Sequence, residues 1–199
     1  MQKKLTAVFI ALLVSGCLVM PSMAKGPNWE GGEKGQSKMS GKSNIGHLYL
    51  YEKIPVPGDE TKTEPWIIVE GGMWGKMKYN QSGSTFDFVF NGHGLPLGQE
   101  YTLIYYPDPW PAVGLICLGS GVVNDYEVNE GCGGNIHIQG SVDTGSFPIE
   151  TDDNYPEGAK IFLVPSGDVD CENQVMVGWT GDDANLYEGA LITFEDTDD

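Results

Sequence analysis

Three acidic stretches carry the residue types that a hard cation needs: clustered carboxylate and carbonyl oxygens on turns. They are Asp152-Asp153-Asn154 with Glu157, Asp168-Val169-Asp170-Cys171-Glu172-Asn173, and Asp182-Asp183-Ala184-Asn185. The second opens like a calcium loop, D-x-D-x-E. It then departs, with Asn173 where an EF-hand has its turn glycine and Trp179 where it has a bidentate glutamate. A calcium ion here would be structural and would be held by Asp168, Asp170 and Glu172, relieving the repulsion between them. The competing reading is a solvated acidic loop. The three histidines, His47, His93 and His137, are far apart in sequence. His137 alternates with Ile136 and Ile138 and is expected to face solvent, whereas His93 is expected in a glycine turn.

A second kind of chemistry is ring stacking. Pro107-Asp108-Pro109-Trp110-Pro111 is a stiff segment that follows Tyr105 and Tyr106. An exposed Trp110 with Tyr105 or Tyr106 beside it would stack on sugar rings; Trp66, Trp74 and Trp179 offer further rings. The competing reading places these aromatics in the core. Asn80-Gln81-Ser82 has the pattern of an N-glycosylation acceptor, with Asn80 on an expected surface turn. No catalytic residue is singled out: the chain has no G-x-S-x-G, H-E-x-x-H, C-x-x-C or phosphate-cradling G-x-x-x-x-G-K-[ST]. Carboxylates are so abundant that a glycosidase-like pair has no signal of its own, and a small secreted hydrolase stays as an alternative.

Charge bounds the partners. There is no arginine, and the formal net charge is −17. Between Lys25 and Lys78 eight lysines face seven acidic residues, whereas from Tyr79 onward Lys160 stands alone against 21. Such a chain is not expected to bind nucleic acid or anionic lipid, both of which need basic patches.

The N-terminus reads as an export signal. A short basic start, Met1 to Lys4, precedes an apolar run from Leu5 to Met20, and Ser22-Met23-Ala24 has a small-x-small cleavage pattern. The run is shorter than the roughly 20 residues a spanning helix needs. The alternative is a lipoprotein box, Val14-Ser15-Gly16-Cys17, with Cys17 lipidated; Leu18 and the continuing apolar run argue against it. Either reading takes the protein out of the cytoplasm, and only a lipidated Cys17 would attach it to a membrane. Beyond the signal the chain holds Cys117, Cys132 and Cys171. Outside the cell these imply one disulfide and one spare thiol. Three pairings are open. Cys117–Cys171 is preferred, because Cys117 lies in an apolar strand pattern and Cys171 where a loop re-enters a strand.

The elements that must position these residues read as strands. Residues 25–44 are rich in Gly, Lys and Ser and show neither period, so a flexible arm is expected there. Residues 45–199 form one acidic domain. Its expected strands include His47–Tyr51, Trp66–Val69, Trp74–Tyr79, Phe86–Phe90, Tyr101–Tyr106, Val113–Leu118, Asn135–Val142, Ile161–Val164, Val175–Trp179 and Leu191–Phe194. Phe86, Phe88 and Phe90 alternate onto one face. With 28 Gly and 12 Pro and no helical period, the class is all-β. An antiparallel β-sandwich of nine or ten short strands, Greek-key or jelly-roll in wiring, is expected. Gly92, Gly94, Pro96 and Gly98 are expected to form the corner after Phe90.

That corner, FNGHGLPLGQEYTLIYY, resembles the F-x-G-x-G-L-P-P-G-x-x-Y-x-L corner of several secreted β-sandwich modules. Over residues 46–195, WGKMKYNQSGSTFDFVFNGHGLPLGQEYTLIYYPDPWP with LICLGSG and GAKIFLV is similar to uncharacterised secreted or cell-surface proteins of methane-producing archaea. The resemblance implies an extracellular β-sandwich and brings no activity or site residue. The resulting expectation is a non-enzymatic protein of surface structure, adhesion or binding. Its partner would be itself, as a homo-oligomer or filament built by strand addition, or surface glycans. The alternative is a carbohydrate-binding module stabilised by calcium.

Overall fold

The computed structural model describes residues 43–55, 66–124, 133–180 and 184–198. Cys17, Cys132, Asp182, Asp183 and nearly all of the expected signal and arm lie outside the described residues. The strands in chain order are β1 (Ile45–Tyr51), β2 (Lys53–Ile54), β3 (Ile67–Ile68), β4 (Trp74–Asn80), β5 (Ser82–Gly83), β6 (Phe86–Leu95), β7 (Glu100–Tyr106), β8 (Ile116–Val122), β9 (Gly134–Val142), β10 (Lys160–Pro165), β11 (Val169–Asp170), β12 (Val175–Met176), β13 (Tyr187–Glu188) and β14 (Glu195–Asp196). The chain is all-β; one 3-10 turn at Ser166–Asp168 is the sole helical element among the described residues.

Two sheets dominate, ordered β13-β1-β4-β6-β9 and β10-β7-β8, and their pairings are antiparallel. From β6 the chain leaves for the second sheet, runs β7 and β8 there, and returns to pair β9 with β6. Period-2 alternation sets the inner faces. Leu48 and Leu50 of β1, Met77 and Tyr79 of β4, Phe86, Phe88 and Phe90 of β6, and Ile136 and Ile138 of β9 meet Tyr101, Leu103 and Tyr105 of β7 and Ile161 and Leu163 of β10 in one core. The expected phenylalanine face is thus the centre of the molecule. Each such side chain, fully buried, contributes about 1.5–3 kcal/mol of transfer free energy.

The second sheet is covered on both sides. Outward residues Ile104, Tyr106, Phe162 and Val164 pack with Ala112, Leu115, Met176 and Tyr187 in a separate cluster, with Trp66, Val169 and Trp179 against its rim. The Cys117–Cys171 disulfide, Cα–Cα 5.7 Å, fastens the Asp168–Asn173 loop over this side. The preferred pairing is therefore the one formed.

Several boundaries differ from expectation. The strand begun at Phe86 does not end at Phe90: β6 runs to Leu95 and pairs with β9 as far as Leu95↔Gly134. Gly92 is a strand residue. Its missing side chain leaves room for Ile136, Leu95 and Phe90, so close packing is its role. The turn comes later, at Pro96–Gln99, with Gly98 at φ 75°. Val113 is an exposed turn residue and β8 begins at Ile116. Only Val175–Met176 of the expected Val175–Trp179 strand is paired, because Trp179 turns onto the outer cluster. Ile192 and Phe194 make single bridges to Ala159 and Phe147.

Candidate functional site

With one side of the second sheet in the core and the other under loops, the open surface of regular structure is the outer face of the five-stranded sheet. Register decides what stands together there. Tyr51 of β1 pairs with Trp74 of β4, Trp74 with His93 of β6, and His93 with Asn135 of β9. The next row is Tyr49, Lys76, Asn91 and His137. The third is His47, Lys78, Val89 and Gln139. Ile45 pairs with Asn80 and Asp87 with Ser141 beyond it. All three histidines are therefore on one face, together with two lysines, three rings and a set of amides.

The contacts are cross-strand ones, the stabilising unit of a sheet surface. The Trp74 and His93 rings lie 4.6 Å apart at 35°, Tyr49 and Trp74 at 6.5 Å, and Tyr49 and Tyr51 at 6.2 Å with an 18° tilt. The Lys76 ammonium sits 5.4 Å from the Tyr49 ring centre, a cation–π contact. His93 Nδ1 donates to Asn135 Oδ1 and His137 Nδ1 donates to Asn91 Oδ1, each at 2.8 Å. These bonds orient both rings. Partial burial, then the nearby Tyr49 hydroxyl, push the Tyr51 phenol above its ordinary pKa. Toward Ile45 the face dips into a shallow groove of about 480 Å³ bordered by Lys78, Asn80, Asp87, Val89 and Gln139.

Tyr105, Tyr106 and Trp110 do not form a common stacking surface. Tyr105 points into the core and is fully buried. Tyr106 points the opposite way and stacks on Phe162 at 4.7 Å. Trp110 is 53% exposed and meets Trp179 edge-on at 6.0 Å. Alternation along β7 separates the two tyrosines, and both faces of β7 are covered, so the expected site is corrected to one exposed ring on an aromatic cluster. Burial raises the Tyr106 phenol to about 12.

Tyr105 belongs to a polar clasp instead. Its hydroxyl donates to Asp152 Oδ2 at 2.7 Å and accepts from the Ile149 N–H at 3.1 Å. Asp152 Oδ1 accepts from the backbone N–H and the side-chain amide of Asn154, both at 2.9 Å. The same amide nitrogen donates to Asp108 Oδ2 at 2.8 Å, which also pairs with Lys160 Nζ at 2.6 Å. The clasp ties the Pro107–Pro111 segment and the Asp152–Glu157 loop to β7 and β10. Asp152 is 3% exposed, so its oxygens are spent on internal bonds. Burial, then the bond to Asp152, drive the Tyr105 phenol far above its ordinary value.

Of the calcium residues Asp168 is buried, whereas Asp170 is half-buried and Glu172 exposed. Asp168 Oδ1 accepts from the Thr180 hydroxyl and Oδ2 from the Thr180 N–H, both at 2.6 Å. Asp170 accepts from the Glu172 and Asn173 N–H groups and the Asn173 amide, which closes its own turn. The Asn173 bonds lower the Asp170 pKa. Asp168, Asp170 and Glu172 do not converge: no set of three or more acidic, His or Cys residues able to hold a metal exists among the described residues. The Asn80 amide nitrogen donates to Ser82 O at 3.3 Å and Thr85 O at 2.8 Å, bracing the turn into β6. A glycan on it would remove one of those donors.

Sequence reasoning missed Lys76, Lys78 and Tyr49 as site residues, and it placed His93 in a turn. The signal was there in the outward positions of HLYLY, WGKMKY, FNGHG and NIHIQ. Each segment alternates; what was lacking was the register that stacks them. No family model, no curated protein and no solved structure matches this chain.

Proposed function

We propose that this chain is an extracellular, non-enzymatic surface protein that acts by binding, with the open face of the five-stranded sheet as its contact surface and a polysaccharide as its ligand. One observation carries this reading: register collects rings, amides, histidines and lysines on one open face of an acidic molecule. Aromatic rings stack on the apolar faces of sugars, and amides and ammonium groups serve their hydroxyls. The surface is broad and shallow, which suits a polymer better than a small molecule held in an enclosed pocket. The disulfide supports an oxidising location, in line with the export signal read from the sequence.

The test is binding of residues 25–199 to insoluble polysaccharides, followed by tryptophan fluorescence. Trp74→Ala is expected to remove retention while Trp110→Ala leaves it. Equal retention of Trp74→Ala and the parent protein would overturn the placement of the site.

Self-assembly is the second reading, favoured by β9. This nine-residue strand ends the five-stranded sheet, and a long edge strand templates strand addition. Sedimentation that shifts with protein concentration, and is abolished by a proline at an outward β9 position, would support it.

A further inference from the structure

We infer that the ligand of the open sheet face is a polyanionic glycan, whose carboxylate or sulfate groups are met by Lys76 and Lys78. The inference rests on the glycan reading above and narrows it to one class of polymer.

The described lysines are Lys53, Lys76, Lys78 and Lys160. Two are already neutralised: Lys53 by Glu188 at 3.8 Å and Lys160 by Asp108 at 2.6 Å, each mostly shielded from solvent. Lys76 and Lys78 are exposed. Neither forms an ion pair with a described residue. They occupy successive outward positions of β4, about 7 Å apart along the strand, in the middle of the sheet rather than at its edge. Asp87 stands one same-face position along β6 from Val89 and borders the same groove as Lys78; it accepts the Thr85 and Ser141 hydroxyls. Of the four described lysines, these two stand together on the outer face of the five-stranded sheet, neither in an ion pair with a described residue.

Their neighbours fit a sugar acid. Lys76 stands between Tyr49 and Asn91, and Lys78 between His47 and Val89. A pyranose stacked on the Tyr49 and Trp74 side would present its acidic group to an ammonium in the adjacent position. Lysine acts as a point charge, without the bidentate geometry of arginine, and so serves carboxylate and sulfate alike. An acidic protein surface would use the lysines but has no need of the rings and amides alternating with them. The net charge does not forbid such a ligand. The Asp168–Asn173 loop is fastened to the outer side of the other sheet. Two sheets are about 10 Å apart and the screening length is about 8 Å at physiological salt, so the charge of that loop is weakened at the lysine-bearing face.

The test measures binding of residues 25–199 to polygalacturonate, chondroitin sulfate and neutral dextran at low and high NaCl. It compares the parent with Lys76→Gln/Lys78→Gln, Lys76→Arg/Lys78→Arg and Trp74→Ala. Expected are binding to one or both polyanions and a loss of about tenfold in the Gln variant or at high salt. Retention is expected in the Arg variant and loss in Trp74→Ala. Equal binding of dextran, insensitive to salt and to the lysines, would overturn this inference and leave the glycan reading standing. Binding to none of the three polymers would overturn both. If the lysines instead control a salt-sensitive oligomer, the face belongs to a second copy of the chain, and both readings fail.

Discussion

Replacing Tyr105 with phenylalanine removes one oxygen from the polar clasp centred on Asp152. The ring keeps its place between the sheets, stacked near Phe147 at 5.4 Å, so no cavity larger than a hydroxyl opens. Two bonds are lost: the donation to the Asp152 carboxylate at 2.7 Å and the acceptance from Ile149 N–H at 3.1 Å. Asp152 is nearly inaccessible to water, so its Oδ2 cannot replace the lost donor cheaply. A buried bond to a charged acceptor is worth about 1.5–3 kcal/mol and an ordinary one about 1 kcal/mol. The substitution is therefore expected to cost about 3 kcal/mol, or roughly 6–12 °C in Tm for a domain of this size. Urea unfolding followed by near-ultraviolet circular dichroism measures it. The partner substitution Asp152→Asn and the double variant complete a cycle whose coupling should reach about 1–3 kcal/mol. A loss under about 0.5 kcal/mol, or additive single effects, would show that the clasp does not carry the loop and would refute the reasoning.

Other consequences are equally measurable. Cys117 and Cys171 close a loop of sequence separation 54, so replacing both by serine is expected to lower stability by about 4 kcal/mol on the chain-entropy model; unchanged melting after reduction would contradict this. Gly75→Ala puts a methyl into the Phe90 ring in the middle of the core, and overpacking of this kind costs about 1–3 kcal/mol, whereas Gly167→Ala, with nothing within 4 Å of its added methyl, should cost less. Burial raises Tyr79 and Tyr106 to about 12 and Tyr105 further. These phenols are held neutral when folded and ionise from pH 10 when unfolded. Their contribution is complete below pH 10 and is lost as pH rises toward 12 and beyond; alkaline titration should show phenolate absorbance appearing together with loss of structure. Asp170, lowered by its Asn173 bonds, behaves oppositely: what it adds is present above the ordinary carboxylate range and fades as pH falls through its folded value. Asp170→Asn should therefore flatten the acid limb of the melting curve.

Alternation was the legible part of the sequence. Phe86, Phe88 and Phe90 had to share a face, and that face is the core. The cysteine pairing was also readable, because Cys117 sat in an apolar strand and needed a partner that a returning loop could bring. Turn chemistry misled where glycine had two uses: Gly92 serves packing and Gly98 serves conformation, and composition does not separate them. The aromatic segment misled for a related reason. A strand carrying tyrosines at successive positions shows one to each side, and nothing local reveals that both sides of β7 are covered. The open face was hidden because it is a product of pairing between β1, β4, β6 and β9, which are distant in sequence. Acidic loops looked like ligand sites because the same carboxylates serve turns and cations; Asp168 accepts from Thr180 and Asp170 from Glu172 and Asn173.

Among the described residues the two exposed lysines lie on the outer face of one sheet and the disulfide-fastened acidic loop on the outer side of the other, so the described charge is unevenly divided between the two sides. If its ligand is the polyanion proposed above, such a body would feel a torque before it feels a contact. It would turn in the last nanometre of approach and arrive sheet first, so collisions in unfavourable attitudes are rotated into useful ones. Orientation would then be set by the field of the whole molecule, while the rings and amides decide only what is held after landing.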